Sequence, residues 1–97
     1  MRAIMYAGQA VTSSDRVAME LLAYAKSLAT FGDVDVVTIP IVADGGAESC
    51  DLLVGSGIPL AVGPVADPLT DVVGADLAID DLRARQARLK SRRSGAA

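Results

Sequence analysis

Apolar and polar residues alternate along two neighbouring stretches, 34–43 and 47–55, which are separated by Asp44, Gly45 and Gly46. Side chains point alternately to the two faces of a strand, so each apolar set occupies one face. Asp-Gly and Gly-Gly tolerate the positive φ of a tight turn, which brings the two apolar sets to the same side of a sheet. The pattern therefore predicts a β-hairpin whose register is fixed by its apolar face. That face consists of Val37, Ile39 and Ile41 in the first stretch and Cys50, Leu52 and Val54 in the second.

Shorter extended segments flank this hairpin. Residues 2–7 are mostly apolar and predict a first strand, which a turn at Gly8 and Gln9 could follow. Residues 10–12 are either the antiparallel return of a hairpin, which we favour, or a loop. Apolar residues alternate again in 58–62 and predict a short edge strand. Pro40 has no N–H to donate, so it predicts an open strand edge or an irregularity within the first hairpin strand.

A helical period replaces the alternation between Ser14 and Phe31. Ser13 or Ser14 can accept hydrogen bonds from the first free N–H groups of a helix. Asp15 complements the positive end of the helix dipole, and Gly32 is typical of the residue that follows a helix. This segment predicts one long amphipathic helix. Its apolar stripe is formed by Val17, Leu21, Tyr24, Leu28 and Phe31.

A second helix is predicted near the C-terminus, over about 76–92. Its acidic residues come early and its basic residues late, as the helix dipole prefers. Just before it, Asp67 and Pro68 can cap and begin a single helical turn over 69–73. The apolar stripe of the second helix is thin and consists of Ile79, Leu82 and Leu89.

These elements predict a two-layer α+β fold, since a helix with one apolar stripe packs on a sheet with one apolar face. The expected sheet is mostly antiparallel with about three to five strands, and the 14–31 helix packs on it. The alternative is a small βαβ unit with a mixed sheet, in which the first strand pairs parallel to residues 34–42. A chain of 97 residues supports one core, so we expect a single domain over 1–93 and a disordered tail over 94–97.

The composition narrows the chemistry that this fold could carry. The chain is 52% hydrophobic and 3% aromatic, and it has no His and one Cys. Because the usual acid–base, nucleophilic and zinc-binding sets need such residues, the sequence favours a non-enzymatic protein and predicts no catalytic residue, metal site or cofactor. No apolar run reaches the roughly 20 residues of a membrane span and no signal-peptide pattern opens the chain, so the expected location is the cytoplasm.

The polar candidates for chemistry each have a structural interpretation. The predicted register turns Cys50 into the apolar face, which favours a buried structural thiol over a nucleophile. Asp44, Glu48 and Asp51 lie in or near the hairpin, and the acids at 76–81 lie in the first turns of a helix, where acidic residues are common without any chemistry.

A glycine-rich segment is the candidate ligand loop, since its backbone N–H groups could bind an anion. It leads into Pro59 rather than into a helix, so a turn or bulge is the competing interpretation. The corresponding function is a small-molecule or anion-binding protein, or a minimal enzyme, with a pocket near Ser13, Ser14 and Ser56. The loop consists of Gly55, Ser56 and Gly57.

Charge is distributed unevenly along the chain. Residues 1–82 contain all 12 acidic residues and three basic ones, a net charge of −9, whereas residues 83–97 carry +6. Blocks of like charge at a terminus often serve as interaction tails, although a solvated helix end or docking on the chain's own acidic surface also explains them. We refer to these six residues as the basic tail: Arg83, Arg85, Arg88, Lys90, Arg92 and Arg93.

The leading functional hypothesis is a protein-interaction or regulatory module that binds a partner through a sheet edge or the C-terminal helix. A nucleic-acid accessory role through the basic tail is a further alternative, opposed by the acidic remainder of the chain and by the scarcity of aromatic residues. A half-buried aliphatic sheet with an open edge also favours a homodimer.

Overall fold

A computed structural model describes residues 1–67 and 69–95, with side chains described as far as Arg92. The elements form one antiparallel sheet and two helices, which confirms the predicted two-layer α+β fold. Their bounds are β1 (Arg2–Tyr6), β2 (Gln9–Ser13), α1 (Asp15–Thr30), β3 (Val34–Ala43), β4 (Gly46–Gly55), β5 (Leu60–Pro64) and α2 (Ala75–Gly95).

The sheet has five strands in the order β4-β3-β2-β1-β5. Every neighbouring pair is antiparallel, and β1 lies between β2 and β5. The alternative βαβ arrangement is therefore wrong, because β1 does not pair with β3. The strands at 2–7, 10–12 and 58–62 were predicted correctly in kind, with shifts of one or two residues at their ends.

The central hairpin of β3 and β4 has the predicted register. Val37 lies opposite Leu52, and Ile39 lies opposite Cys50. Asp44 has φ 52° and the following Gly45 has φ 75°, which together are typical of a type I′ turn. The apolar positions identified from the alternation therefore share one face, on which both helices pack.

Helix α1 begins and ends where its capping residues predict. The Ser14 hydroxyl oxygen accepts a hydrogen bond from Val17 N at 3.2 Å, and Gly32 has φ 71° just after the helix. The stripe of α1 is buried against the sheet, together with Ile4 and the apolar face of the central hairpin. Its buried residues are Val17, Ala18, Leu21, Tyr24, Ala25 and Leu28.

Helix α2 runs parallel to α1, since contacts between the two helices advance along both in the same direction. Arg16 binds Asp76 at 2.7 Å, Arg83 binds Glu20 at 2.8 Å, and further along Gln86 binds Ser27 at 3.2 Å. The buried side of α2 consists of Ala75, Ala78, Ile79, Leu82 and Leu89.

The C-terminal region differs from the sequence prediction at two points. Helix α2 includes Ser94 and Gly95, which were assigned to a tail, while residues 96–97 of that tail lie outside the described residues. The predicted helical turn over 69–73 is wrong, because this segment is irregular. A single turn makes few hydrogen bonds for the backbone it fixes, and here Asp67 Oδ1 accepts from Leu69 N at 2.8 Å instead.

Pro40 marks the point where β3 loses its second neighbour. Thr12 of β2 pairs with Val42, and β2 ends at Ser13, so residues 34–40 extend beyond the end of β2. The Ser13 hydroxyl donates to the Pro40 carbonyl at 2.7 Å, which satisfies a backbone acceptor at this boundary. The open edge predicted from Pro40 is thus present within an interior strand.

Candidate functional site: the uncovered sheet face

The structure separates the serines that were predicted to share a pocket. Ser13 and Ser14 are fully buried at the start of α1. Ser56 is exposed, and its N–H donates to the Asp33 carbonyl, which follows the other end of that helix. A helix of 16 residues is about 24 Å long, so the two groups lie too far apart for one small ligand.

Gly55, the first glycine of the candidate ligand loop, occupies a position where a side chain would not fit. Gly55 has φ 128°, and a Cβ at this position would overlap the Asp33 carbonyl oxygen. The loop therefore brings the end of β4 against the segment that joins α1 to β3. Gly55 and Gly57 with positive φ are accounted for by this turn, without a bound anion.

Cys50 points into the helix-side face, as the register predicts, and is half-buried. Burial, together with the neighbouring Asp51 carboxylate, raises the pKa of its thiol. A raised pKa reduces the thiolate fraction at neutral pH and with it the reactivity of the group.

The acidic candidates are dispersed over the fold. Asp44 occupies the hairpin turn, Asp51 accepts a hydrogen bond from Thr38 at 2.6 Å, and Asp76 binds Arg16. Among the described residues, no group of three or more acidic or thiol side chains is arranged to hold a metal ion.

The basic tail is divided between docked and free side chains. Arg83 and Arg85 bind acidic residues of the same chain, whereas Arg88, Lys90 and Arg92 are exposed. Within the part of the chain that the structure describes, these three make no hydrogen bond or ion pair. The side chain of Arg93 lies outside that part.

Arg85 forms the centre of the contact between α2 and the sheet. Its guanidinium donates to Asp35 and to Asp81, each at 2.9 Å, and Tyr24 Oη donates to Asp35 at 2.6 Å. Burial and the Asp35 contact raise the pKa of Tyr24 to about 12. Burial opposes the charge of Asp35, but the hydrogen bonds from Tyr24 and Arg85 outweigh it and lower the pKa of this carboxyl.

The opposite face of the sheet is covered by neither helix. The register places the outward positions of all five strands on this face, and Asp51 is the one charged side chain among them within the described residues. We call it the uncovered face. Its residues are Ala3, Met5, Ala10, Thr12, Val34, Val36, Thr38, Pro40, Val42, Ala47, Ser49, Asp51, Leu53, Ala61 and Gly63.

Large aliphatic side chains on the uncovered face are open to solvent. Val36 is 55% exposed, Val34 53%, Met5 44% and Leu53 42%. Val36 and Leu53 are directly opposite each other on β3 and β4 and form one continuous apolar contact surface. Val34 is two positions from Val36 on β3, whereas Met5 lies on β1 near the other end of the sheet. The cluster of Val34, Val36 and Leu53 is therefore the candidate interaction site on this face.

A groove of about 510 Å³ lies on one border of the uncovered face. Pro40, Ala47 and Ser49 line it from the sheet, Val73 lines it from the segment before α2, and Leu77 lines it from the first turn of α2. The carboxylates of Glu48 and Asp81 also line it. Val73 is 81% exposed and Leu77 is 78% exposed, so the apolar surface continues beyond the sheet onto α2.

The edges of the sheet are less suited to self-pairing than its uncovered face. The edge strand β4 carries Glu48 and Asp51 without a basic residue, and the other edge strand, β5, ends at Pro64. Charged residues and Pro on edge strands oppose the addition of a further strand. We therefore consider the uncovered face, rather than the edge strands β4 and β5, as the surface that could bind a protein partner.

Sequence reasoning missed the uncovered face because it used only one set of alternating positions. Residues 34–43 read Val-Asp-Val-Val-Thr-Ile-Pro-Ile-Val-Ala, so apolar residues also occupy most even positions. A nearly continuous apolar run is typical of a strand that is buried on both faces. That signal in β3 could have indicated a second apolar surface.

Comparison of the chain with protein-family models, with characterised proteins and with solved structures found no match in any of the three sets. No helix among the described residues combines the length and apolar character that crossing a membrane requires. The uncovered face and the basic tail are therefore the two candidate binding surfaces of this chain.

Proposed function

We propose that this chain is a non-enzymatic interaction module that binds protein through its uncovered face. The observation that carries the proposal is the exposure of Val34, Val36 and Leu53 side by side on a sheet face on which, among the described residues, Asp51 is the one charged side chain. Burying such aliphatic side chains is favourable by about 25 cal/mol per Å² of apolar area. The homodimer expected from the sequence is one form of this proposal.

The roles of the polar candidates support a binding function over catalysis. Ser13 and Ser14 are buried and hydrogen-bonded within the fold, and the pKa of Cys50 is raised. Each of these groups thus has a structural partner or a lowered reactivity. The cytoplasm remains the proposed location, since its reducing conditions suit an unpaired thiol such as Cys50.

The proposal is tested by cross-linking the tagged chain in its native cells and identifying the attached proteins, including untagged copies of itself. Val36→Lys places a charge on the uncovered face, and Met19→Lys is the matched control, because Met19 is 52% exposed on α1. We expect a specific cross-linked protein to be lost with Val36→Lys and retained with Met19→Lys. An identical set of proteins from both variants and the natural chain would refute the proposal.

A second candidate function is the binding of an acidic protein segment by the free end of the basic tail. Arg88 and Arg92 are one helical turn apart and line a groove of about 530 Å³. Asp33 and Asp35 line the same groove beside Tyr24. Because these side chains are exposed and unpaired among the described residues, a polyanionic segment could reach them without breaking a contact within the chain.

The test of this second function uses charge substitution instead of deletion, because removing residues 83–97 would also remove the core residue Leu89. Fluorescence anisotropy with a labelled poly-glutamate peptide should show binding that weakens with salt and is lost in Arg88→Glu/Arg92→Glu. Labelled duplex DNA, measured at the same two salt concentrations, tests the nucleic-acid alternative. Absence of binding to either probe at low salt would remove the basic tail from the functional account.

A further inference from the structure

The distribution of charge identifies the partner that best fits the uncovered face. The whole chain has a net charge of −3, because residues 1–82 carry −9 and the basic tail carries +6. Arg83 and Arg85 of that tail pair with acidic residues of the same chain. On the uncovered face, Asp51 is the one described charge, it lies on the edge strand β4, and it is hydrogen-bonded to Thr38. Two copies that meet through this face therefore bring few like charges together.

The alternative self-contact, strand β4 against strand β4, is opposed by the same charges. Antiparallel pairing of this edge with its copy would place two Glu48 and two Asp51 side chains along one short ladder, with Asp44 at the adjoining turn. Like charges across a strand pair are destabilising. In face-to-face packing Glu48 points to the helix side and remains hydrated, so Asp51 is the one carboxylate of this strand that faces the second copy.

The size of the uncovered face reaches the lower limit of a biological interface. With strands about 4.8 Å apart and a rise of about 3.4 Å per residue, two strands of 10 residues and three of 5 give a planar area of about 570 Å². Two such faces, if fully covered, bury about 1,140 Å². Biological interfaces begin at about 1,000 Å².

We propose that the occupant of the uncovered face is a second copy of this chain, so that two sheets pack face to face about a twofold axis, with Val36 and Leu53 in the interface. The proposal rests on the proposed function and names its partner. Two sheets packed in this way lie about 10 Å apart with their strands about 30° from parallel, and their inner side chains interdigitate. The twofold axis makes the same apolar patch serve both subunits.

The experiment is sedimentation equilibrium of the full chain, whose mass is 9.9 kDa, over a wide concentration range at low and high salt. We expect a mass of two chains at micromolar concentration, nearly independent of salt because the interface is apolar. Val36→Thr/Leu53→Thr keeps β-favouring residues on both strands and should weaken dimerisation roughly tenfold or more, whereas Met19→Gln should leave it unchanged. Circular dichroism of each variant shows that it folds.

Two results would overturn the inference. One is a single-chain mass at every concentration, and the other is a dimer that dissociates in salt and survives Val36→Thr/Leu53→Thr, which would indicate electrostatic association through the basic tail. If the chain is monomeric while Val36→Lys still abolishes cross-linking to another protein, the proposed function stands and the second copy is excluded as the partner. If the chain is monomeric and Val36→Lys changes nothing, both proposals fail.

Discussion

The two faces of this sheet are built from the same strands, yet only one is buried in the chain. On the helix side, Val37, Ile39 and Leu52 pack beneath α1 and α2 and are almost fully buried. On the uncovered face, Val36 and Leu53 occupy adjacent positions on the same two strands and remain about half exposed. Both faces of the sheet thus carry aliphatic residues, but the two helices cover only one of them. The same two strands therefore supply aliphatic side chains to a buried face and to an exposed one.

The largest effect should come from the helix side of the sheet. Ile39→Ala removes a fully buried side chain opposite Cys50, so it should lower the free energy of unfolding by about 2–5 kcal/mol. Urea denaturation followed by circular dichroism measures the change. A loss below about 1 kcal/mol would mean that the helix side is not the tightly packed core described above.

A large effect is also expected where the hairpin is fixed beneath α1. In Gly55→Ala, the new Cβ would overlap the Asp33 carbonyl oxygen at a φ of 128°, so the variant should lose about 2 kcal/mol or more. Gly8→Ala is the matched control, since its φ is also positive and a Cβ there meets no atom within 4 Å. Equal losses in thermal melts of the two variants would contradict the steric explanation.

An intermediate effect should appear at the polar border of the helix side. Because the pKa of Asp35 is lowered in the fold, its contribution to stability is present above its ordinary value of 3.8 and is lost as the pH falls through the folded-state pKa. Asp35→Asn should therefore cost about 1–2 kcal/mol at neutral pH and progressively less below pH 3.8. Urea titrations at several pH values test this, with the exposed Asp80→Asn as control. If the loss of unfolding free energy in Asp35→Asn is equally large in acid, the loss comes from altered packing and not from the charge of Asp35.

The smallest effect on the subunit itself should come from the uncovered face. Val36→Thr keeps the shape and strand preference of a half-exposed residue, so the free energy of unfolding of the isolated subunit should change by about 0.5 kcal/mol or less. The natural chain, however, should melt at a higher temperature as its concentration rises, and Val36→Thr should reduce that dependence. A melting temperature that is independent of concentration in both proteins would contradict a role of the uncovered face in dimerisation.

Local patterns predicted most of this fold because the signals for each element lie close together in the chain. Asp44-Gly45 and the alternation around it fixed the hairpin register, and Ser14 with Gly32 bounded α1. The irregular segment at 69–73 was missed because its backbone is held by distant contacts, including the ion pair of Asp71 with Arg16. The sequence likewise could not show that Ser13 and Ser56 lie at opposite ends of α1.

The candidate site was harder to predict than the fold. The sequence pointed to sheet edges and to the basic tail, whereas the structure draws attention to the even positions of β3. The path of the whole chain decides which face of the sheet the two helices cover. The alternation of residues along one strand does not contain that information. The docking of Arg85 on Asp35, far apart in sequence, was unpredictable for the same reason.

Burial of the uncovered face against a second copy is tested most directly by the solvent accessibility of individual methyl groups in the natural chain. NMR with a soluble paramagnetic agent measures this accessibility. At high protein concentration, the account predicts that the methyl groups of Val36 and Leu53 become nearly as protected as those of Val37 and Leu52, while Met19 remains accessible. On dilution, or in Val36→Lys, the methyl groups of Leu53 should become accessible again. Free access of the agent to Val36 and Leu53 at every concentration, in the purified chain and in the native extract alike, would contradict the account.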